Sequence, residues 1–315
     1  MPAVVVRQLC RDYDGLRAVD GVSFEIEEGE IFALLGPNGA GKTTTVEILE
    51  GHRPRTSGSV SVLGEDPQSA GRRFRERIGI VLQEAGFDED FTPRELVTLY
   101  RRMYPRRLDV DDVLALVGLT DKRDARVKTL SGGQRRRLDL ALGLVGDPDL
   151  LFLDEPTTGF DPSARRRAWE LVDALRDLGK TVLLTTHYMD EAEHLADRLG
   201  VLVGGRLVAV GTPEQLGAAA STTSVVSFRL PPAAAPDDLP RFDGRLSQDG
   251  SDWRLETAEP TRSLNEITAW AIARGVDLSS LSVGRPSLED TYLALVAAHD
   301  PGSATGTAPS DEVPQ

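Results

Sequence analysis

A glycine-rich segment near the start of the chain, GPNGAGKT, has the residue types needed to hold a phosphate group. Its glycines let the backbone turn tightly around an anion, so that successive N–H groups can point at the phosphate oxygens. Lys42 adds a positive charge, and the hydroxyl of Thr43 can bind Mg²⁺. An apolar run precedes the segment and a helical pattern follows it, as this motif requires. The predicted phosphate site comprises Gly36, Pro37, Asn38, Gly39, Ala40, Gly41, Lys42, Thr43 and Thr44.

Two acidic residues, Asp154 and Glu155, end a second apolar run, LLFLDE. Carboxylates at the end of a buried strand need a cation or a hydrogen-bonding partner. We expect Asp154 to bind Mg²⁺, directly or through water, and Glu155 to act as a general base toward a water molecule. Alone, this run predicts no more than solvated carboxylates, so the expectation depends on its pairing with the glycine-rich segment.

A third segment, LSGGQ, opens a helical pattern in which apolar residues recur on one face, with 135–137 mostly off that face. Ser131 is a typical N-cap residue, so the plain interpretation is a helix start. The other interpretation is a second anion site, because a hydroxyl, backbone N–H groups and the helix dipole would face one point. The residues of that site would be Ser131, Gly132, Gly133 and Gln134.

These segments lie in a chain that alternates apolar strands with amphipathic helices. Strands are predicted at 3–9, 22–26, 30–36, 57–64, 78–83, 149–155 and 181–187, with a hairpin at 199–212. Helices are predicted after the glycine-rich segment up to Gly51, at 93–104, 109–118, after Ser131, at 162–178 and at 188–197. The alternation is typical of an α/β fold with a mostly parallel sheet, which binds ligands at the carboxyl ends of its strands.

The composition changes at GAAASTTS, 217–224. Beyond it, strands at 225–230, 245–257 and 278–283 and helices at 262–274 and 287–298 predict a small α+β domain. The last residues, 300–315, contain almost no large apolar side chain and are expected to be disordered. We therefore predict a domain over 1–217, a C-terminal accessory domain over 218–299 and a tail over 300–315.

The composition also excludes several classes of protein. A net charge of −14 argues against a nucleic-acid partner. The single cysteine, Cys10, excludes an intrachain disulfide and any multi-thiolate metal site. No run reaches the roughly 18 apolar residues of a membrane span, and the first residues have no secretory-signal pattern. We expect the chain to be made and kept in the cytosol.

In the order and spacing of its motifs, the chain resembles the nucleotide-binding domain of ABC-transporter ATPases over about residues 3–217. GPNGAGKT matches the Walker A motif, LSGGQ the signature, LLFLDE the Walker B motif and TTGFD (157–161) the D-loop. Walker A alone would also suit a kinase or a GTPase. The resemblance implies a P-loop NTPase core, with a mostly parallel sheet and with antiparallel β and helical subdomains, followed by the small α+β domain.

The resemblance implies roles for individual residues. Gln83 would contact Mg²⁺ or the attacking water and couple to a membrane partner. Glu155 and His187 would assist the attack of water on the γ-phosphate of ATP. Tyr13 would stack on adenine, and Asp161 would organise the opposing site. Two copies would form a homodimer, with each Mg²⁺-ATP between Walker A of one chain and LSGGQ of the other.

A transporter of this type would also need a separate transmembrane permease, and the chain would lie on the cytoplasmic face of the cell membrane. The segment 84–105 has two open interpretations, a socket for that permease or internal packing of the helical subdomain. Its candidate residues are Phe87, Phe91, Tyr100, Met103 and Tyr104.

The amino-acid sequences of the motifs resemble those of the daunorubicin-resistance group of exporter ATPases, which drive efflux of drugs, antibiotics, lipids or polysaccharides. The segment RPSLEDTYLALV, 285–296, resembles the end of that group's C-terminal appendage, which would regulate or stabilise the dimer or be only a solubilising extension. Ribosome-acting relatives carry two such domains and chromosome-maintenance relatives carry long coiled coils, and neither feature is predicted here. A soluble ABC ATPase with a regulatory or other non-transport role remains the alternative.

Overall fold

The structure is a computed structural model, and it describes residues 1–81, 86, 88–219, 224–231, 239–284 and 288–299. The chain forms two compact units, one built mainly from Met1–Pro213 and the other from Glu214–Leu295. The domain boundary at 217 stays a prediction, and the expected tail over 300–315 lies outside the described residues.

Two sheets form the centre of the first unit. In chain order their strands are β1 (Pro2–Tyr13), β2 (Leu16–Glu27), β3 (Ile31–Leu35), β4 (Ser57–Val62), β5 (Ile78–Val81), β6 (Leu150–Asp154), β7 (Thr181–Thr186), β8 (Arg198–Val203) and β9 (Arg206–Gly211). The larger sheet has the order β5-β6-β7-β3-β8-β9 and is parallel except for β9. The smaller sheet, β2-β1-β4, is antiparallel. This topology brings the carboxyl ends of β3, β6 and β7 to one edge.

Helices connect these strands. They are α1 (Lys42–Leu49), α2 (Arg72–Arg75), α3 (Pro93–Arg101), α4 (Val110–Leu116), α5 (Gly132–Leu144), α6 (Pro162–Asp177) and α7 (Met189–Leu195). Several begin at side-chain caps that their sequences provide. Thr92 and Glu95 form a capping box at α3, and Asp109 caps α4. Because each cap satisfies backbone N–H groups that have no partner within the helix, these residues set where the helices begin.

The core of the first unit lies between its sheets and helices. All five residues of β3 are buried, which agrees with the prediction of a strand covered on both faces. Phe32 of β3 stacks on Phe24 of β2 with ring centroids 5.2 Å apart, and this contact joins the two sheets. The larger sheet is therefore a rigid support for the loops at its carboxyl edge.

The second unit is a smaller α+β structure. Its elements are α8 (Pro213–Ala219), which begins at the boundary between the units, β10 (Ser224–Arg229), β11 (Arg245–Asp249), β12 (Asp252–Thr257), α9 (Pro260–Arg274), β13 (Ser279–Gly284) and α10 (Leu288–His299). The strands form an antiparallel sheet of order β11-β12-β10-β13. Val226, Phe228, Leu255 and Ile267 form the centre of its own core.

The predicted α/β fold class is confirmed, and the predicted strands and helices are present. Two short helices, α2 and α8, were not predicted, because short segments give too few residues to show a helical period. Strand β1 continues to Tyr13 and strand β2 already begins at Leu16, so both are longer than the apolar segments that predicted them. The additional residues have exposed polar positions and are paired in an antiparallel hairpin. Among the described residues, no helix has the length and apolar character to cross a membrane.

Candidate nucleotide site

The glycine-rich loop joins the carboxyl end of β3 to the first turn of α1. Gly41 is the N-cap of α1 and has a φ of 100°, which strongly favours glycine. A Cβ atom at Gly41 would lie 2.5 Å from the backbone oxygen of Ala18. Since Gly41 has no side chain, the first N–H groups of α1 lack a side-chain cap and can bind an anion.

Lys42 is buried within this loop, with 6% of its surface exposed. Its Nζ atom donates to the backbone oxygens of Gly36 at 2.8 Å and Pro37 at 3.3 Å. Nζ also lies 3.7 Å from Oε1 of Glu155. Burial lowers the pKa of Lys42, while the charges of Glu155 and Asp154 act in the opposite direction. The loop carbonyls therefore hold the ammonium group in position before any phosphate binds.

Glu155 follows β6 and has a left-handed backbone, with a φ of 46°. Its N–H donates to the backbone oxygen of Thr185 at 3.2 Å and to the Thr185 hydroxyl at 3.0 Å. One carboxylate oxygen, Oε2, accepts from the hydroxyl of Thr158 at 3.0 Å. The other, Oε1, lies near Lys42 and 3.3 Å from Nδ1 of His187. The carboxylate is thus fixed between the glycine-rich loop and the end of β7.

Nδ1 of His187 is buried, and it has no hydrogen-bond partner among the described residues. Its short distance to Glu155 lacks hydrogen-bond geometry. An imidazole nitrogen in this position can donate a hydrogen bond to an oxygen that enters the pocket, or accept one.

Asp154 is the last residue of β6 and pairs with Thr185 across the parallel β6–β7 ladder. The Thr185 hydroxyl donates to Oδ1 of Asp154 at 2.5 Å. One threonine therefore orients both acidic residues, because the same oxygen accepts the N–H of Glu155. The sequence analysis did not single out Thr185, although a polar residue in the apolar run TVLLTTH is the signal that could have found it.

An open pocket brings residues of the first two motifs together with His187. Its lining comprises Ala18, Asn38, Gly39, Gly41, Lys42, Thr43, Thr44, Glu155, Thr158 and His187. Gly36, Pro37 and Ala40 lie in the same loop, and the carbonyls of Gly36 and Pro37 bind Lys42. The pocket combines backbone N–H groups, one ammonium group, one carboxylate and one imidazole. This set can bind a phosphate chain and transfer a proton beside it.

Tyr13 is not among the residues that line this pocket. It pairs with Leu16 at the turn of the β1–β2 hairpin, and strand β2 also contains Ala18, which lines the pocket. The guanidinium groups of Arg11 and Arg53 lie 4.4 Å and 5.4 Å from the centre of its ring. The aromatic face is therefore already in cation–π contact. Its predicted stacking on adenine stays a prediction.

The signature segment forms the expected start of α5. Ser131 is the N-cap, and its hydroxyl accepts the N–H of Gln134 at 3.3 Å. In return, Oε1 of Gln134 accepts the N–H of Ser131 at 2.9 Å. Ser131 and Gly132 are exposed. Gly132 lines a second groove, which shares Glu155 and Thr158 with the first pocket, and Ser131 and Gln134 line an adjoining groove. The lining of the second groove comprises Gly132, Gly133, Arg135, Arg136, Asp139, Glu155, Thr158, Gly159, Phe160, Asp161 and Ala164.

Asp161 has a structural task at the start of α6. Its Oδ1 atom accepts the N–H groups of Ser163 and Ala164, each at 2.9 Å, and the hydroxyl of Ser163 at 2.7 Å. These hydrogen bonds lower the pKa of Asp161 and keep its carboxylate ionised, and the Ser163 hydroxyl has the largest effect on that pKa. Its role toward an opposing site stays a prediction. Gln83, the predicted ligand and coupling residue, lies outside the described residues.

The described part of the segment 84–105 contains both packed and exposed side chains, and its role as a socket for a permease stays a prediction. Tyr104 packs inside the unit, because a Cβ atom at Gly146 would lie 2.6 Å from its ring, and burial raises the pKa of its hydroxyl. Met103 is 53% exposed and can contact a partner. Phe91 and Tyr100 are half-buried, and Phe87 lies outside the described residues.

Two further polar residues at this edge were not found by sequence reasoning. Arg136 of α5 donates to backbone oxygens at the end of β6 and in the turn that follows, including that of Asp154 at 2.8 Å. Glu191 of α7 is fully buried and accepts from the hydroxyl of Thr157 at 2.8 Å and from Nε1 of Trp169 at 3.3 Å. Their contacts join segments that are far apart in the sequence, so no local spacing of residue types predicts the positions of Arg136 and Glu191.

Comparisons with known proteins agree with this geometry. The family model described as ABC transporter matches residues 19–158, and a model for the C-terminal domain of ABC transporter domain-containing proteins matches 224–287. The daunorubicin/doxorubicin resistance ATP-binding protein DrrA of Streptomyces peucetius is 36% identical over 98% of this chain and 97% of its own length. Nod factor export ATP-binding protein I of Burkholderia pseudomallei (strain 1710b) is 45% identical over 78% of this chain and 82% of its own.

Among solved structures, CbiO1 of Clostridium perfringens, part of the ABC transporter complex CbiONQ, is 29% identical with a TM-score of 0.62. That alignment covers 68% of this chain and 90% of CbiO1. The fold, the ordered motifs and the near full-length similarity to DrrA lead to the same family, so the chain belongs to the ATP-binding subunits of ABC transporters and is an ABC ATPase.

Proposed function

We propose that this chain supplies the energy for export of a drug, an antibiotic or a lipid-like molecule through a separate membrane permease. Relatives named for drug resistance and for Nod factor export support the direction and the class of cargo. The chain would bind the permease at the cytoplasmic face of the membrane, where the exposed Met103 is a candidate contact.

The convergence of Lys42, Glu155 and His187 on one pocket carries the proposal. The phosphates of ATP would lie against the loop N–H groups and Nζ of Lys42. Glu155, held by Thr158 and Thr185, would accept a proton from the attacking water. His187 would donate a hydrogen bond to the γ-phosphate. Most of the catalysis would come from this positioning and from charge stabilisation.

Residues in and beside the pocket fit Mg²⁺ as a cofactor, with Thr43 in its lining and Asp154 next to Glu155. The hydroxyl of Thr43 and the carboxylate of Asp154 are oxygen ligands of the kind that Mg²⁺ prefers, and we propose Gln83 as a third. The described residues contain no group of three or more His, Cys, Asp or Glu side chains suited to a metal. Phosphate oxygens and water would therefore complete the coordination. Bound there, the ion would neutralise charge on the β- and γ-phosphates.

We infer a homodimer from the separation of the two phosphate-binding surfaces. The pocket of Lys42 and the groove beside the signature helix share only Glu155 and Thr158, so Lys42 and Gly132 line different cavities, and Ser131 and Gly132 are exposed. Each motif occurs once in the sequence. Two copies arranged head to tail would enclose two equal ATP sites, with Asp161 facing the opposing site and Tyr13 stacking on adenine.

Substitution Glu155→Gln tests the proposed hydrolysis. Because the amide cannot accept the proton, ATPase activity should fall by about 10²- to 10⁴-fold while a fluorescent ATP analogue still binds. With ATP present, the variant should accumulate as a dimer in sedimentation velocity. Glu193→Gln, at an exposed position of α7, is the matched control and should hydrolyse ATP normally. A Glu155→Gln chain that is monomeric with normal turnover would contradict the proposal.

Transport needs a separate measurement. Co-expression with a candidate six-span permease should produce efflux that the Glu155→Gln variant abolishes. ATP hydrolysis without efflux from any such pair would favour the alternative of a soluble ABC ATPase with a regulatory role.

A further inference from the structure

Arg136, in the second turn of α5, contacts the turn that carries Glu155. Its Nη2 atom donates to the backbone oxygen of Asp154 at 2.8 Å and more weakly to that of Glu155 at 3.5 Å. Its Nε atom donates to the backbone oxygen of Pro156 at 3.3 Å. One guanidinium group therefore contacts three successive carbonyls, and a planar fork of donors makes such an arrangement possible.

The turn needs support from its surroundings. Glu155 has a φ of 46°, a conformation that non-glycine residues adopt only where neighbouring groups hold it. Thr185 of β7 accepts the N–H of Glu155, and Arg136 donates to the carbonyl oxygens of Glu155 and of the residues before and after it. Since the direction of the Glu155 side chain follows its backbone angles, these contacts determine where the carboxylate points.

The electrostatic surroundings keep the guanidinium group in this place. Burial lowers the pKa of Arg136, and the nearby carboxylates of Asp139, Asp154 and Glu191 counteract that effect. An arginine stays charged in proteins, so its bonds to carbonyls are charge-assisted and stronger than those between neutral groups. The neighbouring Arg137 differs in its target, because it donates to the backbone oxygens of Val117 and Gly118 and not to those of 154–156.

We propose that Arg136 is a positioning residue for ATP hydrolysis. By holding the carbonyls of 154–156, it keeps the Glu155 carboxylate directed at the pocket that contains Lys42. This inference rests on the proposed role of Glu155 as general base. Because Arg136 lies on the helix that Ser131 opens, it also ties the catalytic turn to the signature segment within one chain.

Substitution Arg136→Met tests this role, since it removes the guanidinium group and keeps an unbranched stem. We expect kcat to fall about 10- to 100-fold, because a small displacement of a catalytic group has an effect of that order. The affinity of the monomeric chain for a fluorescent ATP analogue should stay within about threefold, since Arg136 lines the groove beside the signature helix and does not line the pocket of Lys42. Arg136→Lys should give an intermediate kcat, because an ammonium group can reach one carbonyl but cannot fork.

Arg137→Met is the matched control, with the same chemistry on the same helix. Its kcat should stay within about twofold of wild type even where thermal unfolding shows a loss of stability. A wild-type kcat in Arg136→Met would overturn this inference and leave the proposed function intact. The same holds if kcat and the affinity for the ATP analogue fall in parallel, or if Arg137→Met loses as much kcat as Arg136→Met. If Arg136→Met does not fold, a wild-type kcat in Arg136→Lys would overturn the inference, and a lower kcat at unchanged affinity would support it. A wild-type chain without ATPase activity would overturn the proposed function as well.

Discussion

The two segments that we propose to bind phosphate are built in opposite ways. In the glycine-rich loop, Lys42 is buried, its ammonium group is bound by loop carbonyls, and a Cβ atom at Gly41 would collide with backbone. In the signature segment, Ser131 is exposed and a Cβ atom at Gly132 would meet no atom within 4 Å. Both lie at helix N-termini, where backbone N–H groups favour anions.

In the proposed function, this difference would make the two segments act at different stages. The glycine-rich loop is a preformed cradle, because the fold itself supplies the contacts that hold its charge. The signature segment is a capped but open helix end, and its own chain leaves the surrounding space free. Such an open end is suited to a phosphate carried by a second molecule, as the proposed dimer requires. Substitutions in the glycine-rich loop should therefore already affect the stability or the nucleotide binding of a single chain. Substitutions in the signature segment should affect ATP hydrolysis only when two chains assemble.

The largest effect is expected at Lys42. Substitution Lys42→Met removes the only ammonium group of the pocket lining, so ATPase activity should fall by at least about 10²-fold and nucleotide binding should weaken. Lys122→Met, at an exposed position, is the control and should behave as wild type. Steady-state hydrolysis and titration with a fluorescent ATP analogue measure both effects. Hydrolysis at the wild-type rate would contradict the assignment of the cradle.

A pair of glycine substitutions tests the contrast directly. Gly41→Ala should destabilise the chain by about 1–3 kcal/mol, because it introduces both a clash with Ala18 and an unfavourable φ. Gly132→Ala should change stability by less than about 0.5 kcal/mol, since the site is open. Denaturant unfolding measures both, and ATPase activity should nevertheless fall in Gly132→Ala if a phosphate approaches this helix end. Equal destabilisation by the two substitutions would remove the distinction.

The last prediction concerns the pH dependence of stability and Glu50, which follows α1 and is 5% exposed. Burial, with the charges of Asp154 and Glu47, raises the pKa of Glu50 to about 8. The native state therefore keeps a proton that the unfolded chain loses near its ordinary pKa. This contribution to stability is complete below about pH 4.5 and is lost as the pH rises through about 8, with a slope of up to about 1.4 kcal/mol per pH unit.

Glu50→Gln should remove this dependence. The variant should gain stability relative to wild type as the pH increases from 5 to about 9, as thermal unfolding across pH can show. The exposed Glu28→Gln variant should follow the wild-type curve. A constant difference between Glu50→Gln and wild type over this range would show that the carboxyl does not carry a raised pKa.

Much of the fold could be predicted because its signals are local. The five buried residues of β3 form one apolar run, and Ser131 and Asp161 cap the helices that follow them. The extensions of β1 and β2 could not be predicted in the same way, because their polar positions are strand only through pairing with each other. Short helices such as α2 were also beyond a periodicity argument.

The residue types of the candidate site, the order of its motifs and the strand ends that carry them were determined by the sequence alone, because backbone requirements such as those of the glycine-rich loop act over a few neighbouring residues. Only the tertiary structure decided which groups meet. It placed Glu155 between Lys42 and His187 and joined both acidic residues through Thr185. It also brought the guanidinium group of Arg136 into hydrogen-bond contact with the backbone oxygen of Asp154. The physical reason is that hydrogen bonds and charges act over a few ångströms in space, whatever the distance along the chain.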